Sequence, residues 1–113
     1  MIELEFLWFN RKLSPNENAH WGTISRLRKK QRWDAYIIAL AHPKPEVREE
    51  YILDITFHPK TNHKQDKDNC IASIKGLLDG VADAWGVDDS QFKPIPSMGE
   101  KVDNGKIVIR IKE

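Results

Sequence analysis

Residues Lys64–Gln91, KQDKDNCIASIKGLLDGVADAWGVDDSQ, decide how this chain is read. Asp66, Asp68 and Asn69 fall within four residues at the start of the stretch, and Asp88-Asp89 closes it. Between them Cys70, Ile71, Ile74, Leu77, Leu78, Val81 and Trp85 recur at the spacing of one helix face. The expectation is a helix with carboxylates at its mouth and more just past its end. Asp68 or Asn69 suits the N-cap, where a short side-chain acceptor satisfies unpaired backbone N–H groups. Asp66 and Asp68 also stand where the helix dipole favours negative charge. Taken alone, Asp-x-Asp-Asn before a helix is ordinary capping. A calcium EF-hand is excluded, because its fifth position would be Cys70 and neither the central Gly nor the terminal Glu is in place.

Outward from this stretch, the N-terminal side begins with Ile2 to Trp8, where Ile2, Leu4, Phe6 and Trp8 alternate with Glu3 and Glu5 as in an amphipathic strand. A loop follows over 10–18, with Ser14-Pro15-Asn16 as a turn. Gly22 to Ala41 reads as the first helix, ended by His42-Pro43-Lys44-Pro45 because proline cannot continue it. Its second half is apolar on more than one face, through Trp33, Tyr36, Ile37 and Leu40 beside Ala35 and Ile38. Such a helix can pack against its own sheet and against a partner subunit. Tyr51 to Phe57 alternates as a second strand, and the loop after it, with His58 and His63, reads as solvated. Beyond Asp89, residues 92–98 read as a proline-interrupted edge strand. Asn104-Gly105 marks a turn, and Ile107, Ile109 and Ile111 the last strand.

The 113 residues suit a single domain, and the net charge of +1 does not announce a nucleic-acid binder. That average conceals an asymmetry. Arg11, Lys12, Arg26, Arg28, Lys29, Lys30 and Arg32 face a single acid, Glu17, over the span from Arg11 to Arg32. Such a segment is either a solvated helix face or a phosphate-binding patch. No apolar run reaches the length of a membrane span, and no secretory pattern opens the chain. The single Cys70 lies on the apolar stripe, as a packing residue in a reducing cytoplasm would. No Cys/His cluster points to zinc.

The whole string resembles the RusA family of Holliday-junction resolvases, small magnesium-dependent endonucleases common in phages and prophages. That family shows a basic residue, Asp-x-Asp-Asn, a helix with a Lys and an Asp-Gly or Asp-Ala, and then Gly-x-x-x-Asp-Asp-x-x-hydrophobic. The matching residues are Lys64, Asp66, Asp68, Asn69, Lys75, Asp79-Gly80 and Gly86-Val87-Asp88-Asp89-Ser90-Gln91-Phe92. Three features depart from it: Lys64 stands where Arg is common, Lys75 follows Asp68 by seven residues where some members place a Lys four after it, and one residue, not three, separates Gly86 from Asp88.

The resemblance implies an α+β domain spanning residues 1–113, with a small mixed sheet of three to four strands and two helices. It also implies a homodimer that resolves four-way DNA in recombination and repair. Asp66, Asp68 and Asp89 are then expected to hold Mg2+, or Mn2+ in its place, because clustered carboxylates repel one another unless a cation joins them. Lys75 would hold a phosphate or stabilise charge developing on it. Asp88 is the alternative to Asp89, Asn69 positions a ligand or caps the helix, and Asp79 pairs with Lys75 on the helix surface. Arg11, Lys12, Arg26, Arg28, Lys29, Lys30, Arg32 and Lys64 are the expected DNA contacts. A straight helix over 69–84 would be about 24 Å long, and five further residues return at most roughly 18 Å. Either the helix breaks near Gly76 or Gly80, or Asp89 completes the partner subunit's site; the continuous stripe from Cys70 to Trp85 and the extra apolar face over residues 33–40 favour the partner. Two other classes compete: a metal-free phage DNA-binding accessory protein, and a transferase with an Asp-x-Asp metal site.

Overall fold

Alternation builds the sheet. In the computed structural model, which describes residues 2–62 and 65–111, the strands are β1 (Ile2–Phe6), β2 (Tyr51–His58), β3 (Phe92–Met98) and β4 (Lys106–Ile111). The four form one mixed sheet in the order β1-β4-β2-β3, in which only β2 and β3 run parallel. The register stacks the apolar residues in rows. Leu4, Ile109 and Ile55 make one row, and Phe6, Ile107 and Phe57 the next; all are buried. Removing each such side chain from water stabilises the fold by about 1.5–3 kcal/mol. The opposite face carries ion pairs around the buried Val108, with Arg110 paired to Glu3 at 2.8 Å and Lys106 to Glu5 at 3.7 Å. β3 is the proline-bearing edge strand that the sequence suggests. Pro94 and Pro96 are two residues apart, so their missing N–H groups share the phase that faces away from β2.

Three helices, α1 (Trp21–Leu40), α2 (Lys67–Ser73) and α3 (Lys75–Trp85), supply the second layer. Cys70, Ile74, Leu77, Val81 and Trp85 join the strands in a single core with Ala35 and Ala39 of α1. α1 lies within one residue of its expected bounds. Its N-cap is His20, whose Nδ1 accepts the Gly22 N–H at 3.1 Å.

The expected straight second helix is broken. Ile74, at φ −114° and ψ 20°, separates α2 from α3. The cause is Gln31 of α1, whose carboxamide inserts into the helical hydrogen-bond ladder. Its Nε2 donates to the Ser73 carbonyl at 3.1 Å, and its Oε1 accepts the Leu77 N–H at 3.1 Å. Those are the two groups that an uninterrupted helix would have joined to each other. Ser73 adds a back-bond from Oγ to the Asn69 carbonyl at 2.7 Å. Gln31→Leu should strand both backbone groups and cost about 1–3 kcal/mol, as read by chemical denaturation. Unchanged stability in that variant would show that the break forms without the amide.

Candidate active site

The turn after α3 is held from several directions. Gly86 ends the helix in the left-handed conformation, at φ 68°. Asp88 then caps the 3-10 turn Asp89–Gln91, its Oδ1 accepting the Ser90 N–H at 2.9 Å while Gln91 Oε1 accepts the Asp88 N–H at 3.1 Å. Gln91 Nε2 donates to the carbonyls of Arg48 and Glu49, which ties the turn to the segment before β2. The Ser90 backbone N–H, followed by its hydroxyl, holds the Asp88 carboxyl below the usual carboxylate range. Of the acidic pair, Asp88 is thus a cap, and Asp89 is the residue presented to the site.

Asp89 returns to its own chain. With Lys75, Ile71, Ala72, Leu78, Phe92 and Pro94 it lines a cleft of about 280 Å³ over the α2–α3 junction. The break at Ile74 removes the straight-helix geometry on which a site shared between subunits was expected. Asp68, exposed in the first turn of α2, stands one helical turn before Ala72. Asp66 is the observed N-cap of α2, a place expected for Asp68 or Asn69. Its Oδ1 accepts the N–H groups of Asp68 at 2.9 Å and Asn69 at 3.3 Å. Asp66, Asp68 and Asp89 do not converge: among the described residues no group of three or more His, Cys, Asp or Glu side chains could hold a metal ion. Lys64 and His63 lie outside the described residues.

The partner that Asp89 does meet is Asp79. The half-buried Asp79 carboxyl is held above the usual carboxylate range by burial first, and then by a hydrogen bond to Asp89 and that residue's charge. Arg32 and Lys75 oppose the shift. Asp79 is therefore not simply a surface partner of Lys75. It faces a second cleft of about 420 Å³ between α1 and α3, with Trp21, Ile24, Ser25, Arg28, Lys29, Arg32 and Gly76. The two carboxyl groups thus sit between two clefts, with Lys75 on one side and the cations of α1 on the other.

A raised acid makes folding easier where it is protonated. Asp79 contributes that stability fully below its unfolded value, near pH 3.9, and loses it as pH rises through its folded value. Asp79→Asn should therefore melt at a higher temperature than the wild type at neutral pH, by about 2–4 °C. The two should converge in acid. Thermal melts across pH read both; a gap independent of pH would exclude the charge origin.

The expected basic patch divides into engaged and available cations. Arg32 clasps Asp83 with two bonds of 2.6 and 2.9 Å, an interaction that raises the arginine's pKa and lowers the aspartate's. Lys30 pairs with Asp34 at 2.7 Å and Arg11 with Glu17 at 3.2 Å. Lys12, Arg26, Arg28 and Lys29 are exposed and form no ion pair among the described residues. Trp21, Gln31 and Asp83 carry no motif, and Asp79, although part of the Asp-Gly pair in the family string, shows its contact with Asp89 only in the fold.

No protein-family model matches the chain. An uncharacterized protein of Xylella fastidiosa is 35% identical over 119 residues, an alignment that takes in 98% of this chain and 76% of that protein.

Proposed function

We propose that this chain, which belongs to the same family as the Xylella fastidiosa protein, is a magnesium-dependent endodeoxyribonuclease that cuts four-way DNA junctions as a two-fold dimer. The observation that carries the reading is the placement of Asp89 by its own chain beside Lys75 and against Asp79, at the meeting of two clefts. Phosphodiester hydrolysis requires a neutralised phosphate and an activated water. Two adjacent carboxylates are a donor set that magnesium accepts, since it commonly takes one or two and keeps several waters. Bound there, the ion would supply charge neutralisation and a more acidic water.

The chain's own groups have distinct parts. Asp79 and Asp89 hold the charge that an ion must answer. Lys75 on one side, and Arg28 and Lys29 on the other, offer point charges to the strand's phosphates, which positions DNA without reading its sequence. Asp68 is not among the residues that line the 280 Å³ cleft, to which α2 contributes Ile71 and Ala72. Junction selectivity rests on the resemblance to the RusA family. A junction has two equivalent strands to cut, and a two-fold dimer presents two sites. The surface available for pairing is the apolar groove of about 630 Å³ between α1 and the segment after β1. There Leu7 is 85% exposed and Trp33 62%. Among the described residues no helix is long and apolar enough to cross a membrane.

A second reading, a DNA-binding accessory protein without catalysis, is favoured by the failure of Asp66 and Asp68 to join a third carboxylate. One assay separates the two. The purified chain is incubated with a synthetic four-way junction, and with a linear duplex of the same sequence, in Mg2+ or in EDTA. Paired nicks in the junction alone, and only with Mg2+, are expected. Binding without nicking selects the accessory reading.

A further inference from the structure

The 420 Å³ cleft between α1 and α3 contains an aromatic side chain that hydrolysis does not require. Trp21, the first residue of α1, is 77% exposed at its edge. The indole is nonetheless held. His20 stacks on it with ring centroids 5.5 Å apart and 29° between the planes. The His20 ring is itself fixed by the Gly22 N–H at Nδ1. An apolar ring left in water with a neighbouring ring against it has less freedom to lose on binding than an isolated one.

The groups around it narrow the ligand. Arg28 and Lys29 line the same cleft, and among the described residues neither is spent on an ion pair, whereas Arg11, Lys30 and Arg32 all are. Ile24 adds apolar wall, and Asp79 stands at the side of the cleft that leads to Asp89. Two available cations beside an open indole match a phosphate and a base of one nucleotide. Bases inside a duplex are stacked on one another and offer no face to a single side chain, so the base must be unpaired.

Resting on the DNA-directed reading above, we propose that this cleft holds an unpaired nucleotide of a DNA strand, its base stacked on Trp21 and its phosphates on Arg28 and Lys29. The adjoining phosphodiester then runs toward Asp79 and Asp89. Branch points, flaps and single-stranded ends present such nucleotides, while continuous duplex does not.

The test measures binding in EDTA, so that nothing is cut, using a short oligo-dT strand and a fully paired duplex with the same number of phosphates. Trp21→Ala should weaken oligo-dT binding by about tenfold, the loss expected of one base–aromatic stack, and leave duplex binding within about twofold. Trp21→Phe should keep oligo-dT affinity within about threefold, yet lose the fluorescence quenching that a base stacked on indole produces. Replacing Arg28 and Lys29 together by Ala should weaken both ligands and flatten the salt dependence by about 1.5 in slope. Equal effects of Trp21→Ala on the two ligands, or quenching that survives in Trp21→Phe, would overturn the stacking site while leaving the DNA reading intact. So would free thymidine monophosphate binding as tightly as the strand. A wild-type chain that binds neither DNA removes the DNA reading itself, and the proposal with it. Circular dichroism of each variant checks the fold.

Discussion

Asp89→Asn should lower magnesium-dependent nicking of a four-way junction by about a thousandfold, the equivalent of several kcal/mol of lost transition-state stabilisation. Junction binding in EDTA should change little, because Asn removes a ligand charge and no phosphate contact. Asp88→Asn, in contrast, weakens only a cap whose acceptor oxygen survives in Asn, and its nicking should stay near wild type. Two residues adjacent in sequence are thereby separated by role. Full activity in Asp89→Asn would end its assignment. The broken helix adds a second expectation. Asp79→Asn and Asp89→Asn proteins, each expected to be inactive, are mixed and allowed to exchange subunits. Because Asp89 returns to the α2–α3 junction of its own chain, every site in a heterodimer carries one lesion, and nicking should not recover. Recovery of single-strand nicking, with exchange confirmed, would restore the shared-site geometry.

The strands were legible because a period of two is a local property. Ile2–Phe6, Tyr51–His58 and Lys106–Ile111 each place alternate residues in the core, and the prolines of β3 mark it as an edge without any tertiary information. The broken helix was not legible for a related reason. Ile71, Ile74, Leu77 and Leu78 continue the apolar stripe across the break, since both halves pack toward the same core. The interruption comes from Gln31, 42 residues before Ser73 and 46 before Leu77, and no pattern within the helix records it. Taken as one rod, residues 69–84 hold Asp89 too far from Asp68 for both to serve one site within a chain.

Charge shows the same division between local and distant information. Seven cations around the first helix were visible as a composition bias, but which of them remain available depends on acids that include Asp83, 51 residues from Arg32. Asp79 was visible as an acid four residues after Lys75. Its contact with Asp89 required the turn built by Gly86, Asp88 and Gln91. The sequence motifs therefore identify the acids and cations, while the path of the chain after α3 determines which of them can act together.

Gly80→Ala should destabilise the protein by about 2 kcal/mol, and Gly80→Val should prevent folding at ordinary temperatures. On propensity alone the alanine ought to help, since Gly inside a helix is about 1 kcal/mol worse than Ala. Packing decides against it. A Cβ at Gly80 would collide with the Arg32 carbonyl oxygen and lie 2.8 Å from the Ala35 Cβ. Both belong to α1, one is backbone, and neither can swing aside, so the helices would have to separate. Gly76, one turn earlier, is less constrained, at 2.7 Å from the Arg28 carbonyl and 2.8 Å from Gln31 Oε1. Its alanine variant should disturb the Gln31 bridge as well as the spacing. The two glycines that might have been read as weak points of a helix are instead where the α1 backbone leaves no room for a Cβ on α3, and Gly76 lines the 420 Å³ cleft. Gly86→Ala is the control. It has nothing within 4 Å, and its cost should come from φ of 68° alone, about 1 kcal/mol. Urea denaturation of the three alanine variants should rank Gly80 as the most damaging. If Gly86→Ala proves worse than Gly80→Ala, the α1–α3 contact is looser than this geometry requires.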